Sequence, residues 1–178
     1  MISTGSAGYW RSQERRGSKL SLSADNLSCL LTECGSTVAI AESCTGGMIG
    51  SHLTDLPGAS KFFLGSAVTY SNESKEDILK VSHETLVKYG AVSEQTAKEM
   101  AEGVIALYKA DYSISVTGIA GPDGGSQEKP VGLVYMAVSD GKRTHVQRMV
   151  FSGDRERIRN STADTACEML ISFIEGSP

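Results

Sequence analysis

Apolar residues recur along the chain at two spacings, and the switch between them predicts an ordered series of helices and strands. Leu27, Leu30, Leu31 and Cys34 fall at i, i+3, i+4 and i+7, the stripe of a helix that Ser23 can start and Gly35 can end. Thr37 to Ala41 is a short apolar run, the pattern of a buried strand. After Glu42-Ser43-Cys44-Thr45-Gly46-Gly47 a helical pattern runs to about Leu53, and Pro57-Gly58 marks a turn. Phe63 to Tyr70 reads as a second strand. Asn72, Ser82 and Ser93 can each cap a helix, the first reaching about Lys80 and the last about Lys109. Tyr112 to Val116 alternates as a strand does. Thr117 to Pro130 is a long loop rich in glycine and proline. Val131 to Val138 and Arg143 to Phe151 read as adjacent strands joined at Asp140-Gly141, a hairpin dipeptide. Asp154 can cap a final helix whose core side would carry Ile158, Thr162, Thr165, Met169 and Phe173. Strands alternating with helices predict an α/β sandwich. The late hairpin makes its sheet mixed, though mostly parallel.

Composition narrows the picture. The 178 residues are 40% hydrophobic, enough for one domain with a sizeable core. Residues 1–19 differ from the rest, dominated by Gly, Ser and Arg, and are expected to be an arm outside the folded unit 20–178. The net charge of -4 supplies no basic field, so nucleic acid is not an expected partner. An anionic ligand would need a local pocket of amides and a few cations. No apolar run approaches the roughly 18–20 residues of a membrane span. Cys29, Cys34, Cys44 and Cys167 show no CxxC spacing, which suggests reduced thiols and a cytoplasmic chain. His52, His83 and His145 are scattered, so no metal site is expected.

Four segments carry candidate chemistry. The first is strand, then ESCTGG, then helix. Such a turn presents free amides at a positive helix end, and Gly46 and Gly47 let a ligand approach the backbone. Ser43 and Thr45 offer hydroxyls, and the turn suits a nucleophile beside an oxyanion hole. A simple capped turn is the alternative. Cys44 is a rival nucleophile when ionised. The second segment, Tyr70 to Lys75, also follows a strand. With Asn72 as cap, Lys75 would lie in the first helical turn, where the helix dipole disfavours its charge by only about 0.3–1 kcal/mol. A lysine base needs a much larger shift, which desolvation in a pocket would have to supply. A solvated Lys75 paired with Glu76 or Asp77 is the alternative. In the third segment a strand enters the glycine-rich stretch Thr117 to Gly125, whose backbone can form an anion-binding nest. It lacks both GxxxxGK[ST] and GxGxxG spacing. In the fourth, Arg155 at a helix start could reach a phosphate.

The ordered set resembles one family. AESCTGG (Ala41 to Gly47), TDLPGASKFF (Thr54 to Phe63), TYSNESK (Thr69 to Lys75), GAVSEQTAKEMAEG (Gly90 to Gly103), VTGIAGPDGG (Val116 to Gly125), KPVGLVYMAV (Lys129 to Val138) and FSGDRERIR (Phe151 to Arg159) are similar to the CinA carboxy-terminal, or nicotinamide-nucleotide amidase, family. The resemblance runs from about Leu20 to Ile174, without residues 1–19 or the SKFF variation after Gly58. It implies a three-layer α/β/α fold and hydrolysis of nicotinamide mononucleotide to nicotinate mononucleotide and ammonia, with no cofactor. It implies Ser43, Tyr70 and Lys75 as catalytic residues. It also implies Thr45, Gly46, Gly47, Thr117, Gly118, Ala120, Gly121 and Arg155 around the substrate. The length suggests the form without an amino-terminal pyrophosphatase-like domain, and a homo-oligomer is expected. Two alternatives stand beside it. One is a nucleotide-binding or regulatory module without turnover. The other is an interaction protein linked to competence or DNA damage.

Overall fold

In the computed structural model residues 22–176 are described; the arm expected at residues 1–19 lies outside them. Six helices and five strands follow in the order α1 (Leu22–Cys34), β1 (Val38–Glu42), α2 (Met48–Thr54), β2 (Phe63–Val68), α3 (Asn72–Leu79), α4 (His83–Tyr89), α5 (Glu94–Tyr108), β3 (Tyr112–Gly118), β4 (Leu133–Ser139), β5 (Thr144–Val150) and α6 (Arg155–Glu175). The strands lie in the order β2-β1-β3-β4-β5. Both neighbours of β1 run parallel to it, while β4 is antiparallel to β3 and β5 to β4. Among the described strands only β4 therefore points the other way. The expected mixed, mostly parallel sandwich is the observed fold.

The pleat of β1 sorts its residues between two cores. Val38 and Ile40 pack with α1, α2 and α6, whereas Ala39 and Ala41 face α3, α4 and α5. On the α5 side small residues allow close approach, and hydroxyls fill the contact. Ser113 Oγ donates to the Ala101 carbonyl at 2.8 Å, Ser115 Oγ to Ala97 at 2.6 Å, and Thr117 Oγ1 to Ala91 at 2.7 Å. β3 is thus buried on both faces from Ser113 to Thr117, which the expected alternation did not anticipate.

Several boundaries shift from expectation. The cap of α3 is Ser71, whose Oγ accepts from Ser74 N–H at 3.1 Å; Asn72 is the first helical residue. Ser23 lies inside α1 and donates to Glu168 at 2.9 Å instead of starting the helix. Cys34 is exposed, so the buried stripe of α1 is Ala24, Leu27 and Leu31. Thr117 and Gly118 end β3 instead of opening the loop. On α6 the buried side includes Ala163, Ala166, Cys167 and Leu170 beside Ile158, Thr162 and Met169, because α6 is covered by both α1 and the sheet. Ser93 and Asp154 cap their helices as the sequence suggests.

One contact sets how closely α3 and α5 approach. A Cβ on Gly103 of α5 would stand 2.0 Å from the Leu79 carbonyl oxygen, at the end of α3. Gly103→Ala should therefore destabilise the fold by about 2–4 kcal/mol, despite the roughly 1 kcal/mol gain in helix propensity. Urea denaturation checks this; an unchanged or raised midpoint would mean that the two helices are free to separate.

Candidate active site

Where β1 ends, the chain turns sharply beyond the carboxyl ends of β1, β2 and β3. Strand order reverses there, the usual place for a ligand crevice in an open α/β sheet. Ser43 is the first residue after β1, 9% exposed, and its N–H donates to the Val116 carbonyl of β3 at 3.1 Å. Lys75 reaches it from α3. Its Nζ lies 3.1 Å from Ser43 Oγ and 2.7 Å from the Thr69 carbonyl oxygen.

Lys75 is 1% exposed, and among the described residues it has no ion-pair partner. Burial therefore lowers its pKa from the ordinary lysine value, because the charged form loses water without gaining a counter-ion. A thiolate at Cys44 would oppose this. Burial, however, raises the Cys44 thiol to about 11, only partly offset by the N–H of Cys44 itself, so no thiolate is present at neutral pH. The solvated lysine with a Glu76 or Asp77 partner, weighed from the sequence, is not what forms.

Adjacent residues of the turn diverge. Ser43 continues the Ala39–Ala41 side toward α3, whereas Cys44 packs, 6% exposed, in the core with α1, α2 and α6. This removes the rival nucleophile. Cys44→Ala should keep activity within about threefold of wild type, and its buried thiol should resist iodoacetamide while exposed Cys29 and Cys34 react. Mass spectrometry of the labelled native chain checks this; Cys44 labelling that tracks loss of activity would restore it as a candidate.

The glycine turn differs from expectation. Gly46 N–H donates to the Ser43 carbonyl at 3.1 Å. Gly47 N–H donates to Glu42 Oε2 at 2.9 Å, and Ile49 and Gly50 also donate to that carboxylate, at 3.2 and 2.9 Å. The positive end of α2 is thus occupied from within, and neither glycine amide is free for a ligand. In this turn the N–H groups of Cys44 and Thr45 have no backbone acceptor among the described residues. The Thr45 hydroxyl is buried without a hydrogen-bond partner among the described residues, and the Thr45 carbonyl accepts from Arg159.

Other expected residues divide between site and scaffold. Tyr70 is 63% exposed at the mouth; its hydroxyl lies 3.4 Å from Arg155 Nη2 and makes no hydrogen bond to Ser43 or Lys75. Arg155 also donates to the Gly121 carbonyl at 2.9 Å, tying Tyr70, the glycine-rich loop and α6 together. Thr117 is buried, its hydroxyl turned to Ala91. Ala120 packs in the core, and a Cβ on Gly118 would meet the Leu133 carbonyl oxygen at 2.6 Å, so both serve packing. Lys129 ties the same loop to the end of α4 through the Tyr89 carbonyl at 2.7 Å. Glu42 and Arg159 were given no role from the sequence. A carboxylate ending an otherwise apolar strand is the signal that could have found Glu42. Among the described residues no cluster of three or more His, Cys, Asp or Glu could hold a metal ion, and no helix is long and apolar enough to cross a membrane.

Known proteins resemble this chain over most of its described residues. A model of the CinA C-terminal domain matches residues 21–174. A CinA-like protein of Endomicrobium trichonymphae is 55% identical over 141 residues, 79% of this chain and 33% of that protein. A putative competence-damage inducible protein of Clostridioides difficile is 53% identical over 150 residues, 84% of this chain and 36% of that one. The chain thus spans about a third of the length of the curated relatives it matches. Among solved structures, the competence/damage inducible protein CihA from Agrobacterium tumefaciens superposes with a TM-score of 0.85 at 41% identity, covering 90% of this chain and 98% of that one. A competence-damaged protein (CinA) superfamily protein from Enterobacter cloacae gives 0.82 at 32% identity, covering 97% and 98%.

Proposed function

Because this chain belongs to the CinA C-terminal domain family, we propose that it is an amidohydrolase that converts nicotinamide mononucleotide and water to nicotinate mononucleotide and ammonia through a serine acyl-enzyme. The observation that carries the reading is the buried, unpaired Lys75 at 3.1 Å from Ser43 Oγ. A buried lysine without a counter-ion is a poor structural element but a good base, since it spends more of its time neutral.

In the forward step Ser43 Oγ attacks the carboxamide carbon as Lys75 Nζ takes the hydroxyl proton. Lys75 reaches Ser43 directly, so no relay through Tyr70 is needed. The oxyanion is held by the N–H groups of Cys44 and Thr45; of the donors expected from Thr45 to Gly47, Thr45 keeps the role and Cys44 takes the place of the two glycines. The C–N bond then breaks, and the leaving nitrogen takes the proton from Lys75 to depart as ammonia. Water adds to the acyl-enzyme with Lys75 again accepting a proton. Breaking the C–Oγ bond returns that proton to Ser43. Tyr70 and Arg155 frame the mouth, with Arg155 a candidate partner for the phosphate. Four free cysteines support a reducing, cytoplasmic setting.

Ammonia release from nicotinamide mononucleotide by the purified chain, with chelator present, tests the proposal. Release supports it. Tight binding of the mononucleotide without release would instead make this a binding or regulatory module.

A further inference from the structure

We propose that Glu42 is the positioning residue of the serine–lysine pair; this rests on the acyl-transfer reading above. Glu42 ends β1 with no exposed surface. A buried carboxylate is costly unless its oxygens are satisfied, and here four donors satisfy them. Gly47 and Ile49 N–H donate to Oε2, and Gly50 N–H and Ser66 Oγ to Oε1, at 2.9 to 3.2 Å. The carboxylate thereby joins the start of α2 to β2, across the turn that carries Ser43.

The backbone of the same residue reaches the lysine. The Glu42 carbonyl accepts from Thr69 N–H at 2.8 Å, and the Thr69 carbonyl accepts from Lys75 Nζ at 2.7 Å. One residue therefore holds the turn bearing the nucleophile, the start of α2 and the peptide that aims the base. A helix cap alone needs only a short polar side chain in the turn. A carboxylate drawn from inside the strand, next to the nucleophile, does more than cap.

Glu42→Gln tests the assignment. Either orientation of the amide sets its NH2 against backbone N–H groups, at Gly47 and Ile49 or at Gly50, so the turn must shift. A small misplacement of a nucleophile is worth about 10²-fold in rate. The expected result is a kcat lowered by about that factor, KM within about threefold of wild type, and equally slowed labelling of Ser43 by a fluorophosphonate probe. Both are measured where circular dichroism shows the variant folded. Labelling does not depend on the nicotinamide substrate. A wild type that labels at Ser43 but releases no ammonia thus sinks the amidase reading while leaving Glu42 open to judgement. A folded Glu42→Gln chain labelled within about threefold of the wild-type rate overturns the proposal, since a purely structural carboxylate leaves surviving sites intact. If that variant does not fold, Glu42→Ala is labelled with and without formate, which can occupy the vacated carboxylate position. Recovery with formate supports the assignment; wild-type labelling without it, or no recovery in a folded chain, overturns it.

Discussion

Replacing Ser43 with alanine should lower ammonia release from nicotinamide mononucleotide by about 10⁴-fold or more while leaving the fold in place. The side chain of Ser43 makes a single hydrogen bond among the described residues, to Lys75, and Lys75 keeps the Thr69 carbonyl when that bond is lost. Nothing structural depends on the hydroxyl. Affinity for the mononucleotide should change little, because the contacts assigned to the phosphate lie at Arg155. Calorimetric binding alongside the ammonia assay separates the two effects. Retention of more than a tenth of the wild-type rate would place the nucleophile elsewhere, and buried Cys44, with its raised pKa, is a poor substitute.

Lys75→Met should lower kcat by about 10³-fold and, at neutral pH, hold or raise the melting temperature. The two effects share a cause. Burial depresses the pKa of Lys75 in the folded chain below the ordinary 10.5, so the unfolded chain binds that proton more tightly. The fold bears the full penalty below the depressed value. The penalty shrinks as pH rises between the two values and is absent above the higher one. Methionine keeps the stem and never bears it. Turnover follows the same titration: kcat/KM of the wild type should climb with pH as Lys75 loses its proton, then level off. Lys75→Arg should not rescue, because guanidinium stays charged throughout. A Lys75→Met chain that melts well below wild type at pH 7 would show that Lys75 is charged and paired after all.

What was legible in the sequence lies within a few residues of its cause. The strand–turn–helix at ESCTGG, the caps at Ser93 and Asp154, the hairpin at Asp140-Gly141 and the mixed sandwich all follow from local pattern. Ser71 and Asn72 are both competent caps, and local pattern could not choose between them. Joining Ser43 to Lys75, 32 positions apart, took the family resemblance. From local pattern alone the burial of Lys75 was invisible, because a lysine followed by Glu76 and Asp77 reads as solvated. Glu42 was missed for the opposite reason. Its partners are near in sequence, but they are backbone amides, which carry no residue identity to read. Gly46 and Gly47 looked like free donors until a carboxylate claimed one and a carbonyl the other. Arg159 meets Thr45 across 114 positions, beyond the reach of any periodicity.

The hydroxyls that fasten β3 to α5 have a mechanical meaning. Ala97 and Ala101 are about 6 Å apart along the helix, and Ser113 and Ser115 about 6.6 Å apart along the strand, so the two lattices are nearly commensurate and lock without slip. Ser43 is pinned to β3 through Val116, and Lys75 belongs to α3, whose end sits against Gly103 of the same α5. Helix α5 makes no hydrogen bond to the Ser43 hydroxyl or the Lys75 amine, yet it is the common ruler from which the spacing of nucleophile and base is measured.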